Sequence, residues 1–443
     1  MRIAFVIYNY SESKGGVERY AYHLAEYLAK EGNEIHIFCH QAFEQPKSDR
    51  IILHTVPAFP FYPPLKYFFF ARNVAGMLKE DKFDIIQHFG RTYYQDARLT
   101  GSSARQVYRV GSGCHWEYLK HRHPSMKNIF GRAIQYLNPR NRIIMSLEKK
   151  SFDSGAYKKI ICISNKVKEE VQRYYHIPDE DINVIYNGID LARFNPSGKN
   201  KYRAETRNEL GITENEVVLL FVGSGFERKG LRYAIEGLAA VPENLRAPLE
   251  RTIIRDKDKH ISPHPDRELS NAPRGTSGLR SSENLLLRAN IKLLVIGKGN
   301  VNKYQALAKR HGIGNQVLFP GAQSQIERYY AASDILLFPT LYEPFGNVCL
   351  EAMASGLPVI TTRIAGASEI INNAIDSFII DEPSDTKAIA EKIIFLLDKV
   401  WRENMGKVAS LCASKYSMEN NFKAVKEVYN QNYSAPHTLP PRR

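Results

Sequence analysis

Short apolar runs rich in β-branched residues alternate with amphipathic helical segments along almost the whole chain. The first run, residues 2–8, is followed by two glycines and then by residues 17–31, whose apolar positions have helical spacing. The same rhythm restarts after Pro196 with the apolar run of residues 217–223. Repeated strand–helix–strand units predict a parallel sheet with helices on both faces. Two series therefore predict two such sheets, and ligands of this fold class bind at the carboxyl ends of the strands.

The length of the chain agrees with this division. Because 443 residues exceed what one hydrophobic core usually supports, we expect two domains of about 200 residues each. Turn-forming residues at 187–196 close the first series and predict a hinge there. We predict an N-terminal domain over residues 1–195 and a C-terminal domain over residues 196–415. A helix over 416–432 is expected to pack back on the N-terminal domain, and the polar, proline-rich tail 433–443 is expected to be disordered.

One stretch interrupts the second series. Residues 248–288 are polar and rich in charge, contain several prolines and glycines, and show no sustained period. They lie in a helix-to-strand connection that normally needs only a few residues. The flanking segments 243–247 and 283–289 nearly repeat each other. We predict a disordered surface insertion without a catalytic role, with a specific binding loop as the alternative.

Composition limits the cellular setting and the partners. The five cysteines are far apart and none forms a C-x-x-C pair, so a reducing compartment fits better than a zinc site or a disulfide framework. The N-terminal apolar run is too short for a signal peptide, and no stretch reaches the roughly 18 apolar residues of a membrane span. We therefore expect a cytoplasmic protein. The formal net charge of +14 permits nucleic acid, anionic lipid or a phosphorylated substrate as a partner.

The densest cluster of chemically informative residues runs from Glu343 to Glu351. A loop after a strand carries Glu343, and a helix that begins near Gly346 carries Glu351. The backbone N–H groups of Phe345, Gly346 and Asn347 would be unpaired at this helix N-terminus, which suits hydroxyls or oxyanions of a ligand. Two carboxylates so placed can bind the hydroxyls of a sugar and the diol of a ribose. The alternative is an ordinary acidic pair near a helix start.

One weaker motif follows the first strand of each series. In the second series, Gly223 permits a tight turn after the strand. Arg228 and Lys229, which are adjacent to each other, could bind a diphosphate, with an ordinary pair of solvated loop cations as the alternative. In the first series, Gly15 and Gly16 lack the G-x-G-x-x-G spacing, which disfavours an ordinary dinucleotide dehydrogenase.

The segment from Glu343 to Glu351 is an E-x7-E motif and resembles that of the family 4 retaining glycosyltransferases. The resemblance covers nearly the whole chain and implies the GT-B fold, in which two Rossmann-like doubly wound parallel-sheet domains face each other across a cleft. It implies that Glu343 faces the donor sugar and that His115 is a second catalytic residue. The donor-binding residues that it implies are Gly15, Gly16, Gly223, Arg228, Lys229, Phe345, Gly346, Asn347, Val348 and Glu351.

The run from Val222 to Gly230 is most similar to that of the lipopolysaccharide core glucosyltransferase I subgroup. This similarity implies transfer of a hexose, with glucose from a UDP donor as the first choice, onto a lipid-linked saccharide such as the lipopolysaccharide core. Another polysaccharide or a soluble acceptor stays open. Cations and backbone amides would stabilise the leaving diphosphate, so no metal and no other cofactor is expected.

The net charge also permits a function of another class, a basic module that binds a membrane or nucleic acid without catalysis. No recognised nucleic-acid motif is visible, so we expect no nucleic-acid partner. Between Leu119 and Lys150, basic residues are interleaved with apolar ones. This pattern predicts peripheral contact with the anionic inner face of the cell membrane. An ordinary solvated basic face is the alternative.

Overall fold

Two parallel sheets, each covered by helices, make up the described part of the chain. The computed structural model describes residues 1–58, 63–79, 82–90, 104–122, 129–152, 157–246 and 290–431.

The described part of the first domain contains nine strands, of which seven form its main sheet and two form a separate pair. Its strands are β1 (Arg2–Val6), β2 (Asn9–Tyr10), β3 (Glu34–Cys39), β4 (Gln41–Ala42), β5 (Ile51–Thr55), β6 (Ile85–Phe89), β7 (Arg105–Val110), β8 (Lys159–Cys162) and β9 (Ile182–Val184). Its helices are α1 (Gly16–Lys30), α2 (Pro63–Met77), α3 (His115–Arg122), α4 (Ile129–Leu137), α5 (Pro139–Phe152) and α6 (Asn165–Tyr175). The main sheet has the order β5-β3-β1-β6-β7-β8-β9, and β2 pairs with β4 separately.

The second domain contains a six-stranded sheet in the order β12-β11-β10-β13-β14-β15. These strands are β10 (Val217–Val222), β11 (Ile291–Ile296), β12 (Val317–Gly321), β13 (Ile335–Phe338), β14 (Val359–Thr362) and β15 (Phe378–Ile380). The helices that follow in chain order are α7 (Gly198–Glu209), α8 (Leu231–Ala240), α9 (Glu243–Arg246), α10 (Val301–Arg310), α11 (Ile326–Ala332), α12 (Asn347–Ala354), α13 (Thr386–Phe395), α14 (Lys399–Ser414) and α15 (Met418–Asn430).

Burial on both faces accounts for the apolar sequences of the central strands. In β1, Ile3 pairs in parallel register with Ile35 of β3 on one side and with Ile85 of β6 on the other. All six residues of β10 are buried. A strand covered by helices on both faces cannot alternate polar and apolar residues, which explains the continuous apolar runs in the sequence.

Each sheet reverses its strand order at the strand that begins its series. β1 lies between β3 and β6, and β10 lies between β11 and β13. The loops after β1 and β10 therefore leave the sheets at the switch points, where doubly wound folds bind ligands. The prediction of an α/β fold with two doubly wound parallel-sheet domains is confirmed.

The last described helix returns to the first domain. Phe422 and Val425 of α15 are buried in the same apolar cluster as Tyr20 and Leu24 of α1. The segment that leads into α15 runs beside Ile189, whose N–H donates to the carbonyl of Tyr416 and whose carbonyl accepts from the N–H of Met418. The two chain crossings thus lie side by side, and we propose that the domains pivot there.

Two predicted segments, the insertion 248–288 and the tail 433–443, lie outside the described residues. Within the described part of the chain, no helix combines the length and the apolar character needed to cross a membrane.

Candidate active site

A cavity of about 420 Å³ lies in the cleft between the two domains. Both domains line it with segments that follow the carboxyl ends of parallel strands. From the first domain come the start of α1, the end of β7 and residues 187–190, and from the second come Lys229 and residues 343–351. The cavity therefore lies where the topology places a ligand site.

Glu343 lies on the loop after β13 and meets the two cations of the loop after β10. Its Oε2 accepts a hydrogen bond from an Arg228 guanidinium nitrogen at 2.9 Å and a second one from the Lys229 ammonium group. Burial opposes ionisation of this carboxyl, but Lys229 and Arg228 outweigh it and lower the pKa of Glu343. The carboxylate is therefore ionised at neutral pH and holds both cations beside it, of which Lys229 lines the cavity and Arg228 does not.

Glycine conformation explains why these two loops approach so closely. Gly230 has φ of +79°, and a Cβ added there would overlap the carbonyl oxygen of Pro339 at the end of β13. Gly223 contacts the aliphatic part of the Lys229 side chain, at 3.3 Å from the position of an added Cβ. Gly223 does not line the cavity, so it supports the position of Lys229 rather than forming the cavity wall.

The N-terminus of α12 faces the cavity. Gly346 precedes this helix with φ of +105°, and Phe345, Gly346, Asn347 and Val348 all line the cavity. Free amides at a helix N-terminus suit hydroxyls or oxyanions. The Asn347 side chain also reaches across the cleft, where its Oδ1 accepts from the Asn187 amide at 2.7 Å.

Glu351 lies one turn further along α12 and also lines the cavity. Its Oε2 accepts a hydrogen bond of 2.7 Å from the hydroxyl of Tyr330, which is fully buried. Burial raises the pKa of Glu351. The hydrogen bond from Tyr330 thus fixes the orientation of this carboxyl at the cavity wall.

On the first domain, the glycine pair forms the start of α1. Gly15 precedes the helix with φ of +69°, a conformation that favours glycine, and Gly16 is the first helical residue and lines the cavity. Gly15 does not itself line the cavity. The glycine pair therefore turns the chain so that the first amides of α1 face the second domain.

The structure does not bring His115 to this site. The His115 ring is buried, and its Nε2 lies 3.1 Å from the Oδ1 of Asn141 on α5. The backbone N–H of His115 donates to the Glu148 carboxylate. His115 begins α3 and is not among the residues that line the cavity, because its side chain points into the packing between α3 and α5. The structure thus places His115 within the packing of the first domain, and its role beside the donor sugar stays a prediction.

Sequence reasoning missed several cavity residues of the first domain. Arg109, at the end of β7, is 5% exposed, and its guanidinium lies 3.6 Å from the centre of the Tyr20 ring. It donates a hydrogen bond of 2.6 Å to the Asn187 side chain. Asp190 and Arg193 also line the cavity. A charged residue one position before the carboxyl end of β7 was the available signal for Arg109.

Metal ligands have a characteristic grouping of carboxylate, imidazole and thiolate side chains. Across the ranges that the structure describes, no three His, Cys, Asp or Glu residues are grouped so that they could hold a metal ion.

Comparison with known families covers both domains. A family model described as Glycosyltransferase Family 4 matches residues 14–193, and a second, described as Glycosyl transferases group 1, matches residues 279–410.

Individual relatives match over most of their length. The lipopolysaccharide glucosyltransferase WaaG of Escherichia coli is 26% identical over 91% of this chain and 93% of its own. An uncharacterized glycosyltransferase of Methanocaldococcus jannaschii is 25% identical over 97% and 98%. A D-inositol 3-phosphate glycosyltransferase of Thermobifida fusca is 24% identical over 94% and 88%.

Solved structures show the same fold. The crystal structure of WaaG matches with a TM-score of 0.71 and 23% identity over 97% of this chain and 100% of that one. Anabaena HepE, in complex with UDP and glucose, matches with a TM-score of 0.65 and 17% identity, over 97% and 99%. The two family models, the paired sheets and the cleft agree: this chain is a glycosyltransferase with the GT-B fold, built from a family 4 domain and a group 1 domain.

Proposed function

We propose that this glycosyltransferase moves a hexose, with glucose as the first choice, from a UDP donor onto a lipid-linked saccharide such as the lipopolysaccharide core, with retention of configuration. One observation carries the proposal. The second-domain wall of the cavity combines a paired carboxylate, the N-terminus of α12, a second carboxylate and Lys229. This set of groups suits a nucleotide sugar from its hexose to its ribose.

The donor would lie along this wall. Glu351 would accept hydrogen bonds from the ribose diol, and its bond from Tyr330 fixes the carboxylate for that role. Arg228 and Lys229 would bind the diphosphate, and Glu343 with the α12 amides would contact the sugar. Anabaena HepE, which shares the fold, has been solved in complex with UDP-glucose, which supports UDP as the nucleotide.

The proposed chemistry uses only groups of the chain itself. The bond from the sugar C1 to the diphosphate oxygen breaks, and the acceptor oxygen bonds to C1 on the same face. The acceptor proton passes to the leaving phosphate oxygen. Arg228, Lys229 and the first amides of α1 would stabilise the developing charge, an effect worth roughly a hundred- to thousandfold in rate. We therefore propose transfer that needs no metal, and expect full activity with EDTA.

The acceptor would lie against the first domain. Arg109 and Arg19 line that side of the cavity, and such cations suit a phosphorylated saccharide. The similarity to E. coli lipopolysaccharide glucosyltransferase supports a lipid-linked acceptor. The T. fusca relative, by its name, acts on inositol 3-phosphate, and the same cations favour a soluble phosphorylated acceptor as a second candidate.

A donor panel tests the reaction. Radiolabelled nucleotide sugars, incubated with the protein alone and with each acceptor candidate, should give hydrolysis or transfer with UDP-glucose above all others. Preference for a different nucleotide, or turnover that EDTA abolishes, would contradict this proposal.

A surface of the first domain supports contact with an anionic membrane. On α4, Phe130 is 82% exposed, and Ile134 and Leu137 are each 65% exposed. Their spacing of four and three residues places them on one face of the helix. The neighbouring α5 carries four exposed basic residues, which are Arg140, Arg142, Lys149 and Lys150. Apolar insertion together with basic contacts to lipid headgroups is how amphipathic helices bind membranes.

Vesicle co-sedimentation tests the membrane contact. Binding to vesicles with anionic lipid should occur at low salt, weaken as salt rises and fall when the four α5 cations are neutralised. A matched control neutralises four exposed cations of the second domain, Lys309, Arg310, Lys387 and Lys407, and should bind like the parent. Equal binding to neutral vesicles, or none at low salt, would remove the membrane from the proposal.

A further inference from the structure

The residue before Glu343 belongs to the second domain, but its side chain is inserted into the first. Tyr342 is 1% exposed. Its ring is stacked on His121 of α3, with 5.0 Å between centroids and 14° between planes. The ammonium group of Lys166 on α6 lies 4.6 Å from the centre of the Tyr342 ring. We call His121, Lys166, Glu170 and Gly113 the tyrosine socket.

The hydroxyl of Tyr342 is held at the bottom of this socket. It donates a hydrogen bond of 2.9 Å to Oε2 of Glu170, which also accepts from the N–H of Cys114 at 2.9 Å. Oε1 of Glu170 is buried and has no hydrogen-bond partner among the described residues. Burial raises the pKa of Glu170, so this carboxylate depends strongly on the donors that it has.

Gly113 makes room for the hydroxyl. A Cβ added at Gly113 would overlap the Tyr342 oxygen and would lie 2.9 Å from Oε2 of Glu170 and 3.2 Å from Pro344. Gly113 also has φ of +65°, which favours glycine. The first domain is therefore shaped around this tyrosine at this point.

The socket fixes the loop that carries Glu343. On one side of Tyr342, its carbonyl accepts from the Arg228 guanidinium, which also binds Glu343. On the other side, the Ser164 hydroxyl at the start of α6 donates to the carbonyl of Pro344 at 2.7 Å. The loop that carries Glu343 is thus held by contacts from both domains.

We propose that Tyr342 is a positioning residue that couples closure of the two domains to the placement of Glu343. This inference rests on the proposed role of Glu343 at the donor sugar and names a residue pair, Tyr342 and Glu170, that serves it. Tyr342 touches neither substrate in this account. Its effect should therefore fall mainly on the rate of the transfer step, because Glu351, Arg228 and Lys229, the side chains proposed to bind the ribose and the diphosphate, lie on the second domain.

The first test is Tyr342→Phe, which keeps the ring in the socket and removes its bond to Glu170. We expect kcat for UDP-glucose turnover to fall by roughly ten- to a hundredfold, because small displacements of a catalytic group have effects of that size. The dissociation constant for UDP, measured by calorimetry, should stay within about twofold. Ser377→Ala is the control, since it removes a buried hydroxyl that accepts a hydrogen bond of 3.1 Å from the Val359 N–H at the amino end of β14, the end away from the cavity. It should leave kcat unchanged.

The second test needs no substrate. Gly113→Ala fills the socket from the first domain, and small-angle X-ray scattering should show that this variant and Tyr342→Ala have a radius of gyration roughly 1 Å or more above that of the parent. An unchanged radius in both variants would overturn the socket as a closure contact. An unchanged kcat in Tyr342→Phe beside an inactive Glu343→Ala would overturn its positioning role and leave the proposed function intact. A parent protein that turns over no nucleotide sugar would refute the proposed function alone, because the scattering result still decides the socket.

Discussion

The two walls of the cleft differ in how their charged side chains are paired. On the second-domain wall, charged groups are paired within their own domain, since Glu343 binds Arg228 and Lys229, and Glu351 accepts from Tyr330. On the first-domain wall, Arg109 is buried against the Tyr20 ring and bonded to the Asn187 amide. Among the residues that the structure describes, no carboxylate lies within ion-pair distance of Arg109.

This difference indicates which wall of the site is preorganised before a ligand binds. A carboxylate already held by two cations is oriented without the donor, so the second wall is preorganised. A buried cation without a counter-charge is costly and favours an anionic ligand that completes the pairing. We therefore assign the donor to the second wall and a phosphorylated acceptor to the first, and four changes can break or sharpen this assignment.

The largest effect is expected from Glu343→Ala. Loss of the carboxylate that we propose to face the sugar should reduce transfer by roughly a hundredfold or more while the protein stays folded. Glu391→Ala, an exposed glutamate on α13, is the matched control and should behave as the parent. Activity of Glu343→Ala within a few fold of the parent would remove the central residue of the donor wall.

The double change Arg228→Ala with Lys229→Ala tests the diphosphate role of that wall. UDP should lose at least the free energy of one charged hydrogen bond, about 1.5–3 kcal/mol, whereas uridine should bind almost as before. Calorimetry with both ligands measures the difference. Equal losses for UDP and uridine would mean that the two cations hold Glu343 and do not bind phosphate.

Arg109→Lys tests the first wall. Lysine keeps the charge but loses the planar group that stacks on Tyr20 and forms a forked pair with phosphate. We expect acceptor-dependent transfer to fall roughly tenfold, since one charged hydrogen bond is lost, while UDP affinity is unchanged. A loss of UDP affinity in steady-state and calorimetric measurements would place Arg109 on the donor side and contradict the division of the walls.

The smallest effect is expected from deleting residues 248–288. None of the residues that we assign to either wall belongs to this segment. The flank at Arg246 is held at Gln316, whose side-chain amide donates to the Arg246 carbonyl at 2.5 Å, so a short glycine–serine linker should close the connection. Transfer should stay within about twofold of the parent. A folded but inactive deletion protein would identify the segment as a working loop.

The sequence was informative about one wall and nearly silent about the other. Glu343, the α12 residues and Glu351 lie within nine positions of one another, so a motif could reveal them together. Arg109 and Asp190 reach the cavity from distant parts of the chain, and only the parallel topology brings them to one edge.

Two further residues show the same physical limit of sequence reasoning. The family resemblance implied a site role for His115, whereas the structure packs its ring against Asn141 of α5. The turn-forming Asn187 was interpreted only as part of a hinge, although it bonds both Arg109 and Asn347. Local pattern predicts where a loop begins, whereas the direction of each side chain depends on contacts made far away in sequence.

The most direct test of the two-wall account is the structure of the protein with UDP bound. The account predicts that the ribose diol lies within hydrogen-bond distance of Glu351 and that the diphosphate contacts Arg228 and Lys229. Arg109 should keep its contact with Tyr20 and remain open to an acceptor. A structure in which the ribose lies away from Glu351, or in which Arg109 binds the diphosphate, would contradict the account.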